Sequence, residues 1–209
     1  MRIVILGLII ISSFFSCKDH DYVTIETDMG KMEVMLLNTA PQHKANFRKL
    51  VNEGYYNDLL FHRVISGFMI QGGDPESRGA ATSVPLGTGG PGYTIPAEIG
   101  TPHFKGMLSA ARLGNAVNPK KESSGSQFFI VHGQPVTDAE LDASERSKGF
   151  KYTPAQREKY KKVGGTPMLD GDYTVFGEVV RGMDVIDKIA ATERDNRDRP
   201  LKDIKMKIY

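Results

Sequence analysis

Apolar and polar side chains alternate over residues 22–26, with Val23 and Ile25 on one face, and Asp28-Met29-Gly30-Lys31 reads as a turn into a second strand over 32–37. A β-hairpin therefore opens the folded part of the chain. Over 41–51 the spacing becomes helical: Ala45, Phe47, Leu50 and Val51 share a face, Thr39 is placed to cap the start, and Gly54 ends the run. Between Phe61 and Tyr93 short apolar pieces, 61–64 and 68–71, are broken by Gly72-Gly73-Asp74-Pro75, a spacing that belongs to strands and tight turns. Residues 107–110, 127–131 and 173–180 read as buried strands. A second helix is predicted over 182–191, with Val185, Ile186, Ile189 and Ala190 facing inward, and a closing strand within 201–208 carries Ile204, Met206 and Ile208. Many strands with a helix near each end predict a mainly β fold, a closed barrel capped by helices, because closure removes exposed edges.

Residues 132–165 break this pattern, being polar and rich in Lys, Glu and Arg. Thr137-Asp138-Ala139-Glu140 and Thr153-Pro154-Ala155-Gln156 both have the capping-box arrangement, the second with proline at the first helical position. The stretch reads as a helical insertion. Its charge run is a solvated face or a partner-binding surface.

The amino terminus is different again. Arg2 precedes an apolar run over 3–11, then Ser12-Ser13-Phe14-Phe15-Ser16 and Cys17. One positive charge, a greasy stretch and a small residue make the order of a signal peptide over 1–16, and the run is shorter than the roughly 20 apolar residues of a membrane span. A short buried strand or helix is the plainer alternative, opposed by the polar Lys18-Asp19-His20-Asp21 that follows at once. The small residue before Cys17 resembles a bacterial lipoprotein box, with Phe14 standing where that pattern favours leucine. The resemblance implies acylation of Cys17, a lipidated tether over 17–21, and an exported protein held to the bacterial envelope, at the outer membrane on its periplasmic or surface side. Cleavage near Ser16 without acylation would instead leave a soluble periplasmic protein.

Composition narrows the chemistry. The 209 residues, 40% of them hydrophobic and 25% charged, suit one domain, which fills 22–209. Lys and Arg number 27 against 25 Asp and Glu, and a net charge of +2 argues against a nucleic-acid partner. Cys17 is the single cysteine, so neither an intramolecular disulfide nor a cysteine-built metal site is available. His20, His43, His62, His103 and His132 show no metal-ligand spacing, so neither metal nor cofactor is expected. Gly87-Thr88-Gly89-Gly90-Pro91-Gly92 matches G-x-G-x-x-G, but Pro91 and Pro96 interrupt the helix that a dinucleotide site requires, and the stretch reads as a loop.

Two longer passages carry more specific information: Phe61-His62-Arg63-Val64-Ile65-Ser66-Gly67-Phe68-Met69-Ile70-Gln71-Gly72-Gly73-Asp74 and Ser124-Gly125-Ser126-Gln127-Phe128-Phe129-Ile130. With Gly106-Met107-Leu108-Ser109-Ala110, Leu169-Asp170-Gly171 and Val175-Phe176-Gly177, they closely resemble the cyclophilins. The resemblance covers about 22–131 and 167–209. It implies a closed eight-stranded antiparallel barrel with two helices, and peptidyl-prolyl cis-trans isomerase activity assisting the folding of exported, proline-containing polypeptides. Arg63 matches the family's catalytic arginine, and Gln71 would orient the substrate with it. Phe68, Met69, Phe128 and Leu169 would line the proline pocket. Gln127, Ala111 and Arg112 would flank the substrate, the last two as an extended backbone edge. Met168 stands where eukaryotic members often carry tryptophan, and Tyr173 where they often carry histidine; both are counted with the substrate-binding residues. The default oligomeric state is a monomer.

Elementary chemistry fits that assignment. Rotation about the X-Pro bond breaks no covalent bond, so no nucleophile is needed. The twisted amide returns a lone pair to the proline nitrogen, and a permanently charged guanidinium with five donors is suited to serve it. On composition alone Phe68, Met69, Phe128 and Leu169 would be core residues, and His62 a scaffold residue, since no proton moves. Two other readings stand beside the enzyme: a module of the same fold that grips proline segments without turnover, and a surface scaffold that binds through 132–165.

Overall fold

Strand alternation decides which side chains enter the interior, and the computed structural model, which describes residues 22–209, shows the result. In β1 (Tyr22–Thr27) Val23 and Ile25 are buried, and in β2 (Gly30–Leu36) Met32, Val34 and Leu36 are buried. The pair forms the expected antiparallel hairpin. The other strands are β3 (Leu59–Leu60), β4 (Arg63–Ile65), β5 (Met69–Gly72), β6 (Thr94–Ile95), β7 (Met107–Ala110), β8 (Ser123–Ser124), β9 (Phe128–Val131), β10 (Val175–Arg181) and β11 (Lys205–Ile208). Nine of them make one antiparallel sheet in the order β3-β11-β1-β2-β10-β7-β9-β5-β4, and β6 pairs with β8 apart from it.

The two ends of that order, β3 and β4, are consecutive in the chain, separated only by Phe61 and His62. The sheet must therefore curl until its first and last strands meet end to end. It does not close as a hydrogen-bonded barrel. Successive pieces of one extended segment cannot lie side by side, so the expectation of a closed eight-stranded barrel is replaced by a curled, nine-stranded sheet with an open ladder.

Among the described residues four α-helices complete the fold: α1 (Pro41–Asn52), α2 (Asp138–Lys148), α3 (Pro154–Val163) and α4 (Met183–Ala190). Phe47, Leu50 and Val51 of α1 and Val185, Ile186 and Ile189 of α4 join the main core inside the curl, with Ile25, Val34, Leu108, Phe128 and Ile130. Each such side chain contributes about 1.5–3 kcal/mol by leaving water. Thr39 does not cap α1. Ala40 occupies the cap, and the carboxylate of Glu98 accepts the N–H groups of Gln42 and His43 at 3.1 and 3.0 Å. A distant acid thus satisfies the donors that a local hydroxyl was expected to take, and its negative charge suits a helix amino terminus. Residues 132–165 hold α2 and α3, each begun by a formed capping box, Thr137 with Glu140 and Thr153 with Gln156.

A second apolar cluster lies on the other face of β5, β7 and β9. It joins Met69, Met107, Phe129 and Val131 to Leu141, Tyr152 and Tyr160 of the helical stretch and to Leu169. The middle of the sheet is therefore buried on both faces, as in β9, where all four residues are buried. Among the described residues no helix is long and apolar enough to cross a membrane. Cys17, the signal-like segment and the tether over 17–21 lie outside the described residues.

Candidate active site

Arg63 and Gln71 are directly paired across the antiparallel strands β4 and β5. This register puts a guanidinium and an amide side by side at one end of the sheet. The Arg63 side chain remains 44% exposed, and its Nε lies 3.6 Å from Asp198 Oδ2. The Gln71 amide donates from Nε2 to Gln127 Oε1 at 3.0 Å, and Gln127 in turn donates to the Gly89 carbonyl at 2.8 Å.

Beside these two polar groups lies a cavity of about 160 Å³ lined by Arg63, Phe68, Met69, Gln71, Ala111, Arg112, Phe129, Leu169 and Tyr173. Eight of the residues expected from the sequence to contact substrate or act on it are thus brought together with the unforeseen Phe129. Its apolar floor and walls are Phe68, Met69, Phe129 and Leu169. On the far side the Arg112 guanidinium lies over the Tyr173 ring at 4.5 Å and donates to the Asp172 and Leu113 carbonyls at 2.7 and 2.9 Å. Arg112 is therefore a fixed wall. Ala111 has both backbone groups committed, its N–H to Gln127 O at 3.0 Å and its carbonyl to Ser124 N–H at 2.8 Å.

Two expected positions, Phe128 and Met168, need correction. Phe128 points to the opposite face of β9, into the core, and makes edge-on contacts with Phe47, Tyr56 and Phe61 at 5.6, 5.7 and 6.2 Å between ring centres. Because strand side chains alternate, Phe129 takes the pocket position instead. Met168 is 59% exposed, on the turn of 3-10 helix Pro167–Leu169, and stays outside the cavity that Leu169 lines. Gln127 lies under Gln71 and lines a second, adjoining cavity of about 560 Å³, which shares Gln71, Ala111 and Arg112 with the first and is walled by the glycine-rich stretch 87–92 with Tyr93 and Val117.

The supporting shell explains several sequence features. Gly73, at φ +88°, lets the chain pass Ser126, whose carbonyl oxygen would be 2.3 Å from an added Cβ. The fully buried Asp74 accepts the Gly87 and Gly89 N–H groups at 2.5 and 3.4 Å and that of Glu76 at 2.9 Å, pinning the glycine-rich loop. No helix follows this loop, so it has the build of a cavity wall. His62 is buried next to Arg63 with both ring nitrogens unpartnered, and burial above all pushes its pKa down to about 4. It is a neutral scaffold residue at neutral pH. Asp198 was invisible to spacing arguments, lying far along the chain. It sits at φ 62°, and its carbonyl accepts the Val64 N–H at 2.8 Å, which brings its carboxylate to Arg63.

The arrangement sets a compact apolar cavity beside a charged donor. That is equipment for altering conformation rather than for breaking bonds. A family model described as "Cyclophilin type peptidyl-prolyl cis-trans isomerase/CLD" matches residues 22–209, the whole of the described fold. The chain belongs to the cyclophilin-type peptidyl-prolyl cis-trans isomerases. Among relatives of this family, a Staphylococcus saprophyticus protein named "Putative peptidyl-prolyl cis-trans isomerase" is 38% identical over 183 residues, covering 86% of each chain. A Streptococcus pyogenes protein named "Putative bifunctional phosphatase/peptidyl-prolyl cis-trans isomerase" is 38% identical over 192 residues, and the match spans 87% of this chain but only 37% of that longer protein. In structure, a cyclophilin-type isomerase of Cryptosporidium parvum, crystallised in the presence of the dipeptide Ala-Pro, has a TM-score of 0.64 and 26% identity, covering 90% of this chain and 96% of its own.

Proposed function

We propose that this cyclophilin accelerates rotation about X-Pro bonds in exported polypeptides, with Arg63 and Gln71 acting on the amide and the 160 Å³ cavity receiving the proline ring. The observation that carries the proposal is the convergence of Arg63 with Phe68, Met69, Phe129 and Leu169 on one small cavity. Partial double-bond character gives the peptide C–N bond a barrier of about 18–20 kcal/mol, and prolyl isomerisation takes roughly tens to hundreds of seconds. A hydrogen bond from Arg63 to the pyramidal proline nitrogen contributes roughly 1.5–3 kcal/mol, equivalent to about ten- to a hundredfold in rate. The remainder comes from the apolar walls. Water stabilises the polar, planar amide more than the twisted one, so stripping water from the amide favours the transition state.

Ala111 has no backbone group to spare, so the substrate segment before proline pairs with the Arg112 backbone. The Ala-Pro dipeptide used with the Cryptosporidium relative is the matching minimal ligand. Export and anchoring rest on the order of residues 1–17, with Cys17 acylated, the protein held at the envelope, and the domain acting as a monomer on incoming chains. Two acyl chains, at about 0.8 kcal/mol per buried methylene, hold such an anchor durably. The catalytic part is tested by the rate of cis-to-trans conversion of a short Ala-Pro peptide, and the anchor by mass spectrometry of the mature amino terminus. An unacylated Cys17 would leave a soluble periplasmic enzyme.

A further inference from the structure

Behind the proline pocket lies a buried carboxylate that the isomerisation chemistry does not use. Asp170 is 3% exposed and accepts four hydrogen bonds. Its Oδ1 takes the His103 backbone N–H at 2.8 Å and faces His103 Nδ1 at 2.7 Å. Its Oδ2 takes the hydroxyls of Tyr152 and Tyr160 at 2.6 and 2.5 Å. Burial raises both phenol pKa values, so the tyrosines remain donors. His103 is fully buried and its Nε2 has no partner, which places the ring proton on Nδ1, toward the carboxylate.

Every partner of this carboxylate leads either to the helical stretch or to the pocket. Tyr160 lies on α3, and Tyr152 precedes Thr153, the cap of that helix. Asp170 adjoins Leu169, a pocket wall. The His103 ring stacks on Phe129, with 6.0 Å between centres and 12° between planes, and meets Tyr173 edge-on at 6.3 Å. Phe129 and Tyr173 also pack edge-on, at 5.8 Å. Three of the cavity's walls are thus one or two contacts from a single charge that the helical stretch holds still.

We infer that the hydroxyls of Tyr152 and Tyr160 are positioning groups for the proline pocket, acting through Asp170 and His103 on Leu169, Phe129 and Tyr173. The α2–α3 stretch is then part of the pocket's support as well as a solvated surface. The inference rests on reading the cavity as the proline site. If one hydroxyl is deleted, a buried carboxylate loses a charge-assisted bond and moves toward its remaining donors, carrying Leu169 and the His103 ring with it. Arg63 and Gln71, on β4 and β5, make no side-chain hydrogen bond to Asp170, His103 or the two tyrosines, and Gln71 meets Phe129 only as its partner in the strand pairing, so substrate affinity changes while the rate at saturation does not.

The test compares Tyr160→Phe and Tyr152→Phe, which keep the rings, with Thr137→Ala, which removes the cap of α2 without touching Asp170. For each full-length variant the dissociation constant for the Ala-Pro dipeptide is measured by NMR titration, together with KM and kcat for an Ala-Pro peptide and the thermal midpoint. Tyr160→Phe is expected to weaken dipeptide binding and raise KM about tenfold, with kcat within about twofold of wild type. Thr137→Ala is expected to lower the thermal midpoint while leaving binding within about twofold. If Tyr160→Phe does not fold, Tyr152→Phe carries the comparison at the same carboxylate oxygen. Binding within about twofold of wild type in the tyrosine variants, or equal weakening in Thr137→Ala, overturns the inference. A wild type that binds the dipeptide without turnover ends the isomerase reading and leaves this one to the binding ratio; a wild type that fails to bind overturns the pocket assignment and the inference with it.

Discussion

Phe128 and Phe129 are adjacent, both phenylalanine and both buried, yet alanine at the two positions is expected to do opposite things. Phe128→Ala removes a ring that meets three others edge-on inside the curl, with Phe47, Tyr56 and Phe61 left facing a void. Core truncations of this kind cost about 3–5 kcal/mol, a large part of a total stability of about 5–15 kcal/mol. Phe129→Ala instead opens one wall of a cavity of about 160 Å³ that already exists, so the space created merges with the pocket. Its stability cost falls at the lower end of that range, and the loss appears in ligand binding. A proline ring has three methylenes worth about 0.8 kcal/mol each when buried. Removing one of four apolar walls forfeits part of that, about 1–2 kcal/mol, or roughly five- to thirtyfold in affinity. The assay is a urea unfolding curve for each variant, followed by titration with Ala-Pro under conditions where both are folded. Equal losses of affinity, or a larger loss in Phe128→Ala, would refute the placement of the two rings on opposite faces of β9.

Other predictions follow from the supporting shell. His62 has its pKa pushed from 6.5 to about 4, so between those values the unfolded chain binds a proton that the folded chain refuses, and stability falls as pH drops from about 6.5 to about 4, by about 3 kcal/mol. Urea midpoints over that range should show a flatter pH profile in His62→Gln than in wild type, where His43 and His132, also shifted down chiefly by burial, contribute the same sign in both proteins; identical profiles would contradict the assignment. Asp74→Asn turns an amide donor toward the N–H groups of the glycine-rich loop, with an expected loss of about 2 kcal/mol and faster proteolytic cleavage within 79–92, and unchanged cleavage would show that the loop is held by something else.

Much of this architecture was legible from local pattern, because the decisive residues act within one element. The inward face of α4 and the two capping boxes depend on spacings of three and four residues, and all appear as read. The long passages around Arg63 and Gln127 bring those side chains together because strand pairing sets Arg63 opposite Gln71, whose amide donates to Gln127. What escaped was set by distant partners or by two-sided burial. Nothing near α1 marks Glu98 as its cap, and Asp198 reaches Arg63 only because its loop folds back onto β4. Phe128 and Phe129 could not be told apart by hydrophobicity, since β9 is apolar on both faces, and one position of error in a strand moves a side chain to the other side of the sheet. Closure of the barrel was overestimated because alternation reports which face is buried and is silent on whether the edge strands share hydrogen bonds.

Arg63, set at the mouth of an apolar cavity, is predicted to lower the barrier to X-Pro rotation. The most direct test is the cis-to-trans rate of a short Ala-Pro peptide with purified wild-type protein and with Arg63→Ala, on samples shown to be folded and to bind the dipeptide. The wild type is predicted to exceed the uncatalysed rate clearly, and Arg63→Ala to lose about ten- to a hundredfold of that acceleration. Turnover in Arg63→Ala equal to wild type would rule out Arg63 as the group acting on the amide, and no acceleration by either protein would rule out catalysis at this cavity.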